Sequence, residues 1–267
     1  MFYVVAVIAV VATVAGVLVL RGRHSGSDGP SFGGKDDPVL DAKMRRLQFY
    51  DWETNVIGPD GRPAPGDPKV TGGAKAGKAG ALSLYDAVLR ATKRPAIVDA
   101  DNARPASIFF ALDRARRRVI GNAAVTRAAA RAAAPAGATI YEVRPGTAIV
   151  GAEGTADRWY VLDDNVAING TETRNARQGI DQKTRRPVTL FAFTDTGLRL
   201  FRELTRKIAA RGSQASLDRA SDDPALHDQH FAVIYEGQIV TIPAVDFRLA
   251  PDGLDASGGT QLSEQLP

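Results

Sequence analysis

An uncharged run of residues opens the 267-residue chain and limits its possible folds. Phe2 to Leu20 contains no charged side chain, and only Thr13 and Gly16 interrupt its apolar character. A helix of that length, rising 1.5 Å per residue, crosses a hydrocarbon layer of about 30 Å. No basic residue precedes the run and no small-residue cleavage site ends it, which favours an uncleaved anchor over a signal peptide. We therefore predict a single membrane-spanning helix within residues 1–23.

The rest of the chain has the composition of a folded body. Hydrophobic residues make up 44% and charged residues 24% of the protein, which excludes a disordered chain. Because there is no Cys, a disulfide, a thiolate zinc site, an iron–sulfur cluster and a cysteine nucleophile are all excluded. The excess of 34 Lys and Arg over 30 Asp and Glu is small, and it does not indicate a nucleic-acid partner.

Turn-forming stretches divide this body into segments. Residues 24–44 begin with a Gly-, Ser-, Asp- and Pro-rich stretch and are predicted to be a flexible tether. Residues 45–138 are predicted to contain one strand from Leu47 to Trp52 and then a loop-rich region. Within that region we expect a short helix capped by Ser83 and a hairpin whose turn lies near Arg114 to Arg117.

Residues 139–267 have the most regular pattern. Val188 to Phe193 is predicted to be a strand that runs into a helix over Gly197 to Arg211, and Gly212 is predicted to end that helix. His230 to Tyr235 and Gln238 to Ile242 flank Glu236-Gly237, which is a hairpin signal. The predicted fold class is α+β: a single N-terminal transmembrane helix, a loop-rich region, and an antiparallel sheet covered by helices.

Two partial matches to ligand-binding motifs are rejected, because the residues around them do not fit the motif. Gly77-Lys78 ends a partial phosphate-binding loop, but Ala79 stands where Ser or Thr should hold magnesium, and no strand precedes the loop. His227 and His230 have the spacing of metal ligands, but His230 opens an apolar strand while His227 is expected in a polar loop. We therefore predict no metal and no cofactor.

The sequence also offers no catalytic residue. It has no Gly-x-Ser-x-Gly elbow and no distinctive pair of acids, so a hydrolase hypothesis rests on His227 and His230 alone. The basic cluster Arg114 to Arg118 lacks the exposed aromatics of a nucleic-acid site and is more typical of a solvated hairpin turn. Contact of this cluster with anionic headgroups stays open for a tethered protein. The residues favour a binding or structural module, not an enzyme.

Three stretches, in this order, carry a resemblance to a known family. They are Leu47–Gly61, Trp159–Thr171 with Asn175–Arg177 and Asp181–Gln182 behind it, and His230–Pro243, continued by Gly259–Ser263. Together they resemble SecD, the protein-translocase subunit that works with SecF at the Sec channel. The first is similar to the segment that enters the head in actinobacterial-type members, the second to the opening of the head, and the third to its closing hairpin.

The resemblance implies a role in protein export. SecD-type heads lie outside the cytoplasm and contact the emerging preprotein. The implied location is the cell membrane, crossed once, with an extracytoplasmic body, although Arg21 and Arg23 alone would favour the opposite orientation. The implied partners are SecF, the Sec channel or a full-length SecD, and an unfolded preprotein.

An unfolded client can join an exposed sheet edge as an added strand, through main-chain hydrogen bonds. The candidate contact residues in the closing hairpin are Phe231, Val233, Tyr235, Gln238, Val240 and Ile242. Pro145 and Gly146 are hinge candidates, because the loop-rich region passes there into the head.

Departures from the family qualify the functional hypothesis. The Gly-Leu-Asp-Leu-x-Gly-Gly signature, most of the base domain and the five later membrane helices of SecD are missing, so the chain resembles a SecD truncated at both flanks. A proton pathway needs ionisable groups inside a helix bundle, which one charge-free helix does not supply. We predict an export component that contacts preproteins without conducting protons. The alternative is a membrane-tethered envelope protein that reuses a SecD-type head for an unrelated binding role.

Overall fold

The computed structural model describes residues 18–20, 37–58, 81–97, 106–152, 158–180, 185, 187–218 and 224–262. The strands are β1 (Leu18–Leu20), β2 (Leu47–Asp51), β3 (Ile108–Asp113), β4 (Arg118–Ala124), β5 (Thr139–Val143), β6 (Thr147–Ala152), β7 (Trp159–Asp163), β8 (Ile168–Asn169), β9 (Thr173–Ile180), β10 (Pro187–Phe193), β11 (Gln229–Tyr235), β12 (Gln238–Thr241), β13 (Ala244–Val245) and β14 (Thr260–Leu262). The α-helices are α1 (Pro38–Met44), α2 (Trp52–Asn55), α3 (Leu84–Ala91), α4 (Arg127–Ala132) and α5 (Asp195–Asp218), with single 3-10 turns at Gly170–Glu172 and Pro224–His227. The predicted α+β class is confirmed.

The apolar N-terminal run ends in a strand. β1 pairs antiparallel with β14, so that Leu18 lies opposite Leu262. An apolar run is compatible with a strand as well as with a helix. At Leu18–Leu20 the strand forms because the edge of β14 is available for pairing. The predicted helix therefore does not extend over Leu18–Leu20. Residues 1–17 lie outside the described part of the chain, within which no helix is long and apolar enough to cross a membrane.

The end of the predicted tether is a helix. Asp37 caps α1 by accepting hydrogen bonds from the backbone N–H groups of Val39 and Leu40, at 2.9 and 3.2 Å. Leu40 and Met44, one helical turn apart, are both buried against the core. The composition of residues 24–44 predicted flexibility, but this cap and this apolar pair are enough to order their last third.

The central sheet has the strand order β7-β6-β12-β11-β2-β8, with β13 added beside β11. All of its pairs are antiparallel except β6 with β12. Beyond β2, Val56 forms a bridge with Leu162 of β7, and the N–H of Ile57 donates to the carbonyl of Val161 at 2.8 Å. The sheet thus curls until β2 is linked to β7, and an aromatic pair inside the curl, Trp52 and Tyr160, lies 5.2 Å apart.

A second sheet, β1-β14-β10-β9, shares the main core with the outer face of the first. α5 covers this core, and the ring of Phe201 lies 5.1 Å from Phe193 and 5.4 Å from Phe231. The helix was predicted to end at Gly212 but continues to Asp218. A Cβ at Gly212 would lie 2.9 Å from the carbonyl oxygen of His227, so this glycine permits close packing and does not end the helix.

A third sheet, β4-β3-β5, forms a separate layer with α3 on one face and α4 on the other. We call these five elements and their connections, residues 81–97 and 106–146, the accessory layer. The predicted β3–β4 hairpin and the predicted Ser83 cap of α3 are confirmed. β5, assigned from sequence to the head segment, pairs with β3, whereas β2, assigned outside the head, pairs with β11.

Candidate functional site

The predicted contact hairpin lies inside the central sheet. Glu236 and Gly237 turn the chain between β11 and β12 with φ values of 49° and 78°, as a two-residue hairpin turn requires. β11 is paired on both sides, with β12 and with β2. β12 pairs with β6 at Gln238 and Ile239. Along these registers the hairpin has no open edge to which a client strand could add.

Most of the predicted contact side chains belong to the core. The five that are buried are Phe231, Val233, Tyr235, Val240 and Ile242. Phe231, Val233, Tyr235 and Val240 belong to the main core that α5 covers, and Ile242 packs inside the curled sheet. Gln238 is the exposed member of the set. Only Gln238 is therefore accessible to a client in this structure.

Gln238 lines an open cleft of about 430 Å³ between the hairpin turn and the accessory layer. The apolar lining includes Ile108, Phe110, Ile149 and Trp159. Polar groups come from Gln48, Asn122, Glu236 and Gln238. An apolar surface with a few polar groups is the usual make-up of a ligand site in proteins. Sequence reasoning did not predict this cleft, because its walls come from segments far apart in the chain.

One wall of the cleft is a sheet edge. Residues 121–123 of β4 line it, and in the described sheet β4 pairs with β3 on one side only. Gly121 has a φ of +65°, and no heavy atom lies within 4 Å of the point where a Cβ would stand. The backbone of β4 is thus approachable here, so an extended peptide in the cleft can make main-chain hydrogen bonds with it.

The hinge candidates Pro145 and Gly146 connect β5 to β6. The N–H of Ile97 donates to the carbonyl of Pro145 at 3.0 Å, and the N–H of Asp164 donates to that of Gly146 at 3.0 Å. Gly146 has a φ of +85°, and a Cβ there would stand 2.5 Å from the Cβ of Ile97. The link is therefore a tight, packed turn between the accessory layer and the central sheet.

A buried group of charges lies where β11 begins. The carboxylate of Glu53 accepts hydrogen bonds from the N–H of His230 at 2.9 and 3.1 Å, and its Oε1 lies 2.6 Å from Nδ1 of the same histidine. Both side chains are at most 5% exposed. Next to them, Nη2 of Arg211 lies 2.6 Å from Oδ1 of Asp51. These pairs join α2 to β11 and β2 to α5.

Burial changes the acidity of the carboxyl groups at this end. It raises the pKa of Asp51, against the opposing effect of the Arg211 guanidinium. Burial, helped by the negative charge of Asp246, raises the pKa of Asp228 to about 6, while Arg248 opposes the change. Hydrogen bonds from Arg248 lower the pKa of Asp246.

The two histidines lie in different elements. His227, expected in a polar loop, is buried in a 3-10 turn, and His230 is bound to Glu53. Across the described ranges of the chain, no three His, Cys, Asp or Glu side chains come together as metal ligands. No sequence pattern identified Glu53 as the partner of His230, because 177 residues separate them.

Together these elements form an α+β fold with an open cleft and a buried charge cluster at one end of its central sheet. Residues 146–264 match the sequence model of the family described as SecDF, P1 head subdomain. The matched segment is somewhat less than half of the chain. No curated protein and no solved structure matches the chain.

Proposed function

We propose that this protein takes part in Sec-dependent protein export, where its head domain contacts unfolded preproteins. The match of residues 146–264 to the SecDF head family is the observation that carries this proposal. The partners proposed with it are SecF, the Sec channel or a full-length SecD. In this proposal the protein crosses the cell membrane once, keeps its body outside the cytoplasm, uses no cofactor and catalyses no reaction.

The cleft is the proposed site of contact with preproteins. An unfolded client exposes apolar side chains and unpaired backbone groups, and the cleft offers a partner for each. Apolar side chains can pack on Phe110 and Trp159, while the backbone can pair with residues 121–123 of β4. Main-chain pairing accepts nearly any sequence, which a component that handles many clients needs.

Proton conduction is not part of the proposed role. The ionisable cluster around Glu53 and His230 lies inside the folded body, where it links α2 to β11 and β2 to α5. A proton pathway would need such groups within a bundle of membrane helices. Any force on the client would then come from partners, and the accessory layer would turn against the head at Pro145 and Gly146.

A second candidate, a tethered protein with an unrelated ligand, is favoured by one observation. The β4 wall of the cleft comes from residues outside the matched segment 146–264. The site is therefore not the property of the head alone, and its ligand can differ from that of the family.

A crosslinking experiment separates the two candidates. Photo-crosslinkers replace Gln238 and Asn122, which face the cleft, and Ala210 on the exposed side of α5 serves as the matched control. With a secretory client stalled at the channel in native membranes, we expect adducts from positions 238 and 122 and none from 210. Adducts with another envelope component, and none with the client, would support the second candidate and refute the first.

A further inference from the structure

The accessory layer carries a positive charge that the rest of the described chain lacks. Its two segments, residues 81–97 and 106–146, hold ten Lys and Arg against three Asp and Glu. The other described residues hold thirteen Lys and Arg against fifteen Asp and Glu. The positive charge is therefore concentrated in one structural layer, and such asymmetry indicates an anionic partner.

Five arginines of this layer lie at one end of its sheet. We call them the basic end: Arg114, Arg116, Arg117, Arg118 and Arg131, all exposed. The first four form the β3–β4 turn and the start of β4. Arg131 reaches the same end because its Nη1 donates to the carbonyl of Ala138 at 2.8 Å, and the next residue, Thr139, pairs with Leu112.

Local carboxylates neutralise only part of this charge. Asp86 lies 2.7 Å from Arg117, and Asp113 lies 3.5 Å from Arg116 and 3.7 Å from Arg118. Two negative charges against five leave the basic end with a surplus of three. Because these ion pairs are on the surface, water and salt screen them, and the guanidinium groups stay available to a phosphate.

The aromatic rings of the layer distinguish between anionic partners. The guanidinium of Arg117 lies over the ring of Tyr85 at 5.0 Å, and that of Arg127 lies over Phe109 at 5.4 Å. These ring faces are covered and cannot stack on bases, which a single-stranded nucleic-acid site requires. A bilayer of anionic phospholipids needs no stacking and attracts clusters of four or more basic residues.

We propose that the basic end binds the anionic phospholipid headgroups of the bilayer surface. The arginine forks contact lipid phosphates, and the β3–β4 turn rests on the headgroup layer. β4 begins at this turn and continues into the wall of the cleft, so lipid binding holds the cleft next to the membrane. This inference does not depend on what the cleft binds.

The test uses the full-length protein in vesicles and a probe at the turn. The chain has no Cys, so Ala115→Cys supplies one labelling site for a fluorophore that reports the polarity of its surroundings. We expect blue-shifted emission in phosphatidylcholine vesicles with about 30% phosphatidylglycerol, and aqueous emission in pure phosphatidylcholine. NaCl at about 0.5 M should abolish the difference.

Matched variants assign the effect to the basic end. Arg114→Gln, Arg116→Gln and Arg118→Gln together should lower the docking equilibrium constant about a hundredfold, since each arginine near an anionic surface contributes about fivefold. The control removes three exposed arginines of α5, Arg199, Arg202 and Arg206, and should leave docking unchanged. If the first triple variant unfolds, the single exchange Arg114→Glu replaces it.

Three outcomes would overturn the proposal. The first is equal emission in the two kinds of vesicle, and the second is an equal effect of both triple variants. The third is loss of the blue shift when an RNA oligonucleotide is added at a matched phosphate concentration, which would identify a nucleic acid as the partner. Docking that depends on phosphatidylglycerol and on the basic end supports it.

Discussion

Replacing Asp228 with asparagine should stabilise the protein at neutral pH. This carboxyl group follows the 3-10 turn that ends at His227, and its side chain is 13% exposed. Its pKa is raised from the ordinary 3.8 to about 6, mainly by burial. Arg248, the nearest cation, lies 3.9 Å away and is bound at 2.7 Å to Asp246 instead. An ionised Asp228 is therefore poorly compensated.

The sign and the size of this stability change follow from proton linkage, because the pKa of Asp228 differs between the folded and the unfolded state. Because the pKa is raised in the folded state, the stability from this group is fully present below pH 3.8 and is lost as the pH rises through about 6. At about 1.36 kcal/mol per pH unit, the ionised group costs up to about 3 kcal/mol at pH 7.5. The asparagine side chain cannot ionise and keeps a carbonyl as a hydrogen-bond acceptor. We expect Asp228→Asn to gain about 1 to 2 kcal/mol at pH 7.5, and most of this gain to be gone at pH 4.5.

The assay is urea unfolding of the full-length protein at both pH values, followed by the fluorescence of its two tryptophans, Trp52 and Trp159. Asp252→Asn, at an exposed carboxyl group, is the matched control and should change the free energy of unfolding little at either pH. A loss of stability at pH 7.5, or a gain of the same size at both pH values, would refute the reasoning. The first result would mean that ionised Asp228 stabilises the fold, and the second that its ionisation is not the cause of the gain.

Three further substitutions test the packing, the turn and a helix cap. Phe201→Ala removes the ring that contacts Phe193 and Phe231, and should lower the free energy of unfolding by about 3 to 5 kcal/mol in urea titrations. Gly146→Ala should lower the melting temperature, because φ is +85° and the new Cβ would meet the backbone of residue 97; an unchanged value would mean that the turn yields easily. Ser83→Ala removes the hydroxyl that accepts from the N–H of Asp86 at 3.1 Å, and should cost about 1 kcal/mol by calorimetry; no cost would mean that α3 needs no cap.

Local signals in the sequence predicted local structure correctly. The turn at Glu236-Gly237, the β3–β4 hairpin and the Ser83 cap each depend on a few adjacent residues, and all three are confirmed. The prediction that Gly212 ends α5 was wrong. Glycine ends many helices but also permits close packing, and only the fold shows which of the two applies at Gly212.

The sequence did not predict which residues far apart in the chain contact one another. Whether Phe231 or Val233 meets a client or the core depends on β2 and α5, and no local pattern names those partners. One feature of the sequence did, however, indicate that β11 is buried. Phe231 to Tyr235 is continuously apolar instead of alternating, which indicates a strand covered on both faces. Glu53 and its distant partner His230 offered no comparable signal.

The pairing of β2 with β11 has a consequence for how the protein folds. Asp51 of β2 lies opposite Phe231 of β11, so β2 pairs with a strand that lies about 180 residues later in the chain. Contacts this distant in sequence make folding slow. A fragment limited to residues 146–264 would lack β2 altogether and would leave one side of β11 unpaired. That open, apolar edge would make the fragment prone to aggregate. By covering the edge of β11, β2 protects the domain from aggregation.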